Sequence, residues 1–287
     1  MLESTRRRSR GRRSCDAWLP ICGVLLVTVC LGDGIARAAG AGADGRFDER
    51  RSHHFVLRED VAIDQRTGPR GANRFQRELL AALEAGYDRL DDTLGLRPTR
   101  PIEVEIYDPA IFDARFAALF PFPAAGFYGG VIRVRGDTRM TPQLAGTLHH
   151  ELLHAALDAA APSIAVPAWL NEGLAEWFAA RVANRPALDG GRRAMLLEAA
   201  GNDALLPLGA ISQPTLVALA PGEAPLAYLQ ATAMIDTIVR RRGERTLRKV
   251  LVHFFRNGDL DRALERAIGV DTRGLAAETA TSLGARS

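Results

Sequence analysis

At 287 residues with 47% hydrophobic side chains, the chain has apolar material for one large domain or two modest ones. Its formal charge of +3 comes from the first 38 residues, which hold seven arginines against Glu3, Asp16 and Asp33; the remaining 249 carry 30 basic and 31 acidic side chains, a balance that excludes a nucleic-acid binder. All three cysteines, Cys15, Cys22 and Cys30, lie in the same leading segment, so residues 39–287 can form no disulfide and have no thiol to place on a metal.

The leading segment reads as a signal peptide over residues 1–38. Arg6, Arg7, Arg8, Arg10, Arg12 and Arg13 form a basic start, Ala17 to Leu31 an apolar stretch, and Ala36-Arg37-Ala38 a small-x-small cleavage site. The apolar stretch is 15 residues long, short of the ~20 that a membrane-spanning helix needs. Export to the periplasm or the extracellular space, with no stable membrane insertion after cleavage, is therefore expected; the alternative is an uncleaved segment that anchors the protein. Arg12-Arg13 lacks the apolar residues of a twin-arginine signal, and Val29 before Cys30 is not the small residue of a lipoprotein signal.

Residues 39–52, Gly/Ala and then charged, are expected to form a flexible tail. His54 to Leu57 reads as a strand. From Asn73 to Leu94, the residues Phe75, Leu79, Leu83, Tyr87, Leu90 and Leu94 recur at helical spacing, and Gly95 supplies a stop. Pro101 to Tyr107 alternates apolar and charged residues, as a half-buried strand does. Asp108-Pro109 opens a short helix to about Leu119, and Ala125 to Val134 contains the glycines of a hairpin. No internal repeat is present.

Thr141-Pro142 is an N-cap and then a proline at the first helical position. On the helix they open, Leu144, Leu148, Leu152 and Ala155 form the core side. His150-Glu151-Leu152-Leu153-His154 places two imidazoles four residues apart, about 40° round the axis and one turn along it, so both can hold one metal ion. His149 points about 100° away and is not counted as a ligand. After 17 intervening residues punctuated by Pro162 and Pro167 comes Glu172, flanked by Trp169 and Trp177 as core residues. Two imidazoles and a carboxylate make a zinc site whose fourth position is open to water. Glu151 lies about 100° round from His150 and is not needed to hold the metal. Beyond the site, Leu226 to Arg240, a stretch opened by Gly243, and Leu260 to Ile268 read as helices. His53, His54 and His253 offer no evident catalytic imidazole.

His150-Glu151-x-x-His154 together with Pro167-Ala168-Trp169-Leu170-Asn171-Glu172-Gly173-Leu174-Ala175-Glu176 resembles the gluzincin metallopeptidases, the thermolysin-like class, and within them a group of secreted bacterial "peptidase MA-like" proteins. The motif core spans about thirty residues, with a weaker likeness from roughly 50 to 270, and the gap before Glu172 is slightly shorter than in thermolysin. The resemblance implies an α+β, zincin-like metal-binding domain over residues 53–180, then a helical part over 181–287 that closes the cleft. It implies one zinc ion on His150, His154 and Glu172, Glu151 as general base towards water, and Glu176 as acceptor for the free ring nitrogen of a zinc-bound histidine. It implies that Gly126, Phe127, Tyr128 and Gly129 grip a peptide or protein substrate as an added strand, against the plainer reading of a hairpin, and that Tyr228 donates to the oxyanion, against that of a core tyrosine. The rival to a zinc peptidase is a zinc-binding envelope assembly or partner-binding protein without turnover, which has no need of Glu151.

Overall fold

The computed structural model of the protein describes residues 47–120, 123–220 and 222–284, so the expected signal peptide and residues 39–46 of the expected tail lie outside the described residues. The alternating pattern at 101–107 becomes strand β3 (Ile102–Tyr107), the centre of a five-stranded sheet in the order β1-β2-β3-β5-β4. β2 (Phe55–Asp60), β3 and β5 (Ile132–Arg135) run parallel, while β1 (Phe47–Arg51) and β4 (Gly126–Tyr128) are antiparallel edges. Parallel neighbours need long crossovers. Helix α1 (Val61–Leu94) makes the one between β2 and β3; α2 (Pro109–Phe116), a 3-10 turn (Ala117–Leu119) and β4 lie between β3 and β5.

Side-chain alternation divides the sheet cleanly. Phe55, Leu57, Val104, Ile106, Ile132 and Val134 enter the main core, whereas Tyr107 joins Phe112, Phe120 and Phe127 in a small aromatic cluster on the other face. There, Arg133 and Glu105 form a buried ion pair of 3.0 Å, and the Tyr107 hydroxyl donates to the same carboxylate at 2.7 Å. Burial, with Glu105 beside it, pushes the Tyr107 phenol up to about 12.

Two sequence expectations are corrected in this region. Residues 47–51 of the expected tail form the edge strand β1, where Phe47 packs edge-on against Tyr107 with ring centroids 5.4 Å apart. The first long helix begins at Val61, not Asn73: it runs straight through Gly68-Pro69-Arg70-Gly71, residues that in isolation read as a break. Asn73 holds this turn, donating to the Pro69 carbonyl at 2.8 Å and receiving Arg50 from β1. The expected stop is present, with Gly95 at φ +67° and its N–H on the Leu90 and Asp91 carbonyls.

The rest of the chain is helical: α3 (Pro142–Ala160), α4 (Ala168–Val182), α5 (Gly190–Gly201), α6 (Leu208–Ile211), α7 (Ala224–Arg242), α8 (Arg245–Asn257), α9 (Leu260–Ile268) and α10 (Thr272–Ser282). Thr141 caps α3 as expected, its Oγ1 accepting from the Leu144 N–H at 3.1 Å. Gly243 ends α7 instead of opening α8. The architecture is α+β, a small mixed sheet with a mainly helical C-terminal part. One buried cluster runs from Phe55 and Leu57 through Leu148, Leu152, Trp169 and Phe178 to Ile235, Leu264 and Leu275, so the sheet and the helical part share a core. No helix among the described residues is long and apolar enough to cross a membrane.

The tightest helix contact is between α4 and α7. A Cβ on Gly173 would stand 2.5 Å from the backbone oxygen of Ala231, so only glycine permits this crossing. Gly173→Ala is expected to destabilise the fold by about 1–3 kcal/mol and to lower the melting temperature by several degrees. Gly146→Ala, where an added Cβ meets nothing within 4 Å, is expected to leave the melting temperature unchanged or raise it. Calorimetry of the two variants checks both.

Candidate metal centre

Helix α3 is buried on almost every side from Thr147 to Leu157, which places His150 and His154 inside the core at 1% and 2% exposure. Their rings face each other with centroids 4.7 Å apart. The neighbouring α4 brings in Glu172, also buried. One of its carboxylate oxygens lies 3.2 Å from His150 Nε2 and 3.6 Å from His154 Nε2, and the three donor atoms fall within 4.8 Å of one another. Zinc bonds of about 2.0–2.2 Å at tetrahedral angles separate ligand atoms by roughly 3.3–3.6 Å, close to the spacing of the Glu172 oxygen from each imidazole nitrogen, so the three could hold one ion. His154 Nε2 is buried without a hydrogen-bond partner, as suits an atom whose lone pair is meant for a metal. The set of two imidazoles and one carboxylate suits zinc.

The outer ring nitrogens are also held. His154 Nδ1 lies 2.9 Å from the Asn171 side-chain oxygen, which can only accept, so the proton sits on Nδ1 and Nε2 is left for the metal. His150 Nδ1 lies 3.4 Å from Glu176, a charge contact without hydrogen-bond geometry, and the other Glu176 oxygen accepts from Arg192 on α5 at 2.9 Å.

Charge governs these groups. Burial opposes a positive His150, yet contacts with Glu172 and Glu176 outweigh it and push its pKa up to about 10 in the metal-free protein. Burial likewise opposes a negative Glu172, but His154 and His150 hold it down at about 2. Glu176 is held below the usual carboxylate range against burial by His150 first and Arg192 second. Glu151 behaves in the opposite way. It is fully buried, neither oxygen makes a well-formed hydrogen bond, and burial raises it to about 8; His150 and the approaching Tyr128 N–H offset only part of that. The Tyr228 hydroxyl, in the first turns of α7, is buried near Glu172, Glu176 and Glu151, and burial with those charges raises it well above the usual phenol value.

β4 is an edge strand lying against α3. A Cβ on Gly126 would come 2.8 Å from Thr147 Cγ2, so this glycine admits the helix, a different use from the close approach of a substrate. The Arg135 N–H donates to the Ala125 carbonyl, so strand alternation pairs Phe127 with Arg133 and turns the backbone groups of Gly126 and Tyr128 away from β5. The Phe127 side chain belongs to the aromatic cluster beyond the sheet. Gly129 lies past the strand, its N–H on the Val131 carbonyl at 3.2 Å. The Tyr128 hydroxyl donates to Asp158 on α3 at 2.7 Å.

The structure thus brings His150, Glu151, His154, Glu172, Glu176 and Tyr228 together. His149 packs against α1, with Nε2 2.9 Å from the Ala82 carbonyl. His54 pairs with Glu84 at 2.6 Å and stacks on Tyr87. Sequence reasoning does not single out Asn171 or Arg192. Asn171 has a faint signal, its place beside Glu172; Arg192 has none.

Residues 82–285 match the family described as Peptidase MA superfamily, a span that contains every residue of this cluster. No curated protein matches the chain.

The electrostatics of the centre set two expected outcomes. Because His150 must give up its proton to bind, zinc uptake near pH 7 is expected to release about one proton, and affinity to rise about tenfold per pH unit through the neutral range. Titration calorimetry in buffers of different ionisation heat checks this. Asn171→Ala is expected to weaken zinc binding by about 10–100-fold, read by chelator competition.

Proposed function

The chain belongs to the Peptidase MA superfamily, and on that premise we propose that it is an exported, zinc-dependent peptidase of the gluzincin type. The observation that carries the reading is the convergence of His150, His154 and Glu172, their donor atoms within 4.8 Å of one another, beside Glu151, a buried carboxyl group outside that set. When bound, zinc supplies Lewis acidity, lowering the pKa of water towards about 7 and polarising a carbonyl.

The protein's own groups do the rest. Glu151 is fully buried, with its proton affinity raised to near neutrality, the range in which a carboxyl group takes a proton from attacking water and returns it to a leaving amine. Tyr228 keeps its proton across the working pH range and so serves as a donor where negative charge develops on the scissile oxygen. The edge position of β4 beside α3 supports reading it as the strand along which an extended peptide is added. Glu176 and Asn171 fix the two imidazoles from behind. Export rests on the basic start, apolar stretch and small-x-small site of residues 1–38; a mature terminus near Ala39, found by N-terminal sequencing, separates it from an anchored form.

Zinc-loaded protein freed of the leader is expected to generate new termini in a diverse peptide mixture, read by mass spectrometry. Glu151→Gln at equal zinc occupancy is expected to lose about 10²–10⁴-fold of that activity, and Tyr228→Phe about 10²–10³-fold in kcat, both with zinc retained. Zinc-replete wild type that cuts neither peptides nor unfolded proteins sinks the peptidase reading in favour of a zinc-binding assembly protein.

A further inference from the structure

We propose that Arg192 is a positioning residue of the metal centre, holding Glu176, and through it the His150 ring, in the ligating orientation. The inference rests on the reading of His150 as a zinc ligand.

The contacts run in one line from α5 to the metal-facing nitrogen. Arg192 Nη1 donates to one Glu176 oxygen at 2.9 Å, the other Glu176 oxygen lies 3.4 Å from His150 Nδ1, and His150 Nε2 lies 3.2 Å from Glu172. Glu176 and Arg192 are only 13% and 17% exposed, so this is not a solvated surface pair. A carboxylate so placed, next to the ligand pair, keeps its charge and its direction only if a fixed cation answers it. Arg192 is fixed at both ends. Its backbone N–H donates to the Asp189 cap at 2.8 Å, and Nη1 also reaches the Ala187 carbonyl at 3.2 Å.

Local chain geometry explains how a residue sixteen positions beyond Glu176 returns to it. Just past the end of α4, Asn184 lies in the left-handed region at φ +51°, with the Arg185 N–H closing back onto the Ala180 carbonyl at 3.0 Å. That turn redirects the chain, and Arg192 near the start of α5 reaches back to Glu176 on α4. The next residue provides a control: Arg193 docks the same helix, but through Asp236 on α7, at 3.1 Å and with no link to the metal ligands.

The test compares zinc-free protein of residues 39–287 carrying Arg192→Met, Arg192→Lys, Arg193→Met, Glu176→Gln and the Arg192→Met/Glu176→Gln pair. Zinc affinity is read by chelator competition and ligand geometry by the visible spectrum of the cobalt-substituted protein, both normalised to the folded fraction from circular dichroism. Arg192→Met is expected to weaken zinc about 10–100-fold and to alter the cobalt bands. Arg192→Lys is expected to recover most of the loss, and Arg193→Met to show none. In the Glu176→Gln background, Arg192→Met is expected to add little, because both act along one path. Unchanged affinity and spectrum in Arg192→Met, an equal loss in Arg193→Met, or fully additive losses in the pair would overturn the assignment. None of these readouts uses cleavage, so a zinc-binding protein that cuts nothing ends the peptidase reading and leaves this one standing; wild type that binds no zinc ends both.

Discussion

The candidate site is walled off from bulk solvent. His150, Glu151, His154 and Glu172 are all at most 3% exposed, and an isolated charge in such a place is strongly unfavourable. Each charge must therefore be matched by another at close range, and the matching is visible residue by residue. Glu172 is answered by the two imidazoles, Glu176 by His150 and Arg192. Glu151 has no such match and is left with its pKa raised to about 8. Two carboxylates one helix apart are thus held in opposite states, one charged and one with its proton affinity raised.

The same constraint reaches into the packing. To keep water out, α4 must be covered on the side away from α3, and α7 covers it at the distance of backbone contact through Gly173 and Ala231. This crossing carries Tyr228, one turn earlier on α7, to the carboxylates. On the other side, Gly126 lets β4 lie against the turn of α3 that precedes His150. The site is thus lined by a helix on one flank and a sheet edge on the other, each drawn in by a missing side chain.

What could be read from sequence divides along the same physical lines. The clustering of His150 with His154 on α3 and of Glu172 with Glu176 on α4 was legible because residues four apart on a helix share a face whatever surrounds them. The strand ending at Tyr107 was legible for a similar reason, a two-residue period being local. Three features escaped. The opening turns of α1 were hidden because Pro69 and its flanking glycines favour a break, and contacts from β1 help decide otherwise. Phe127 stood in the expected substrate strand, but which face of that strand meets the core depends on its partner β5. Arg192 reaches the site only because a left-handed residue at 184 folds α5 back, a tertiary event without periodic signature.

The single core shared by the sheet and the helices also settles how the molecule can move. Two bodies that each own a core can rock about a hinge, since little apolar surface is uncovered when they part. Here Trp169 and Phe178 are among side chains common to both halves, and swinging the helical part away would wet them. Large-scale opening therefore amounts to partial unfolding. The candidate metal site is carried on α3 and α4, helices of that shared core, and stays assembled only while the core is closed.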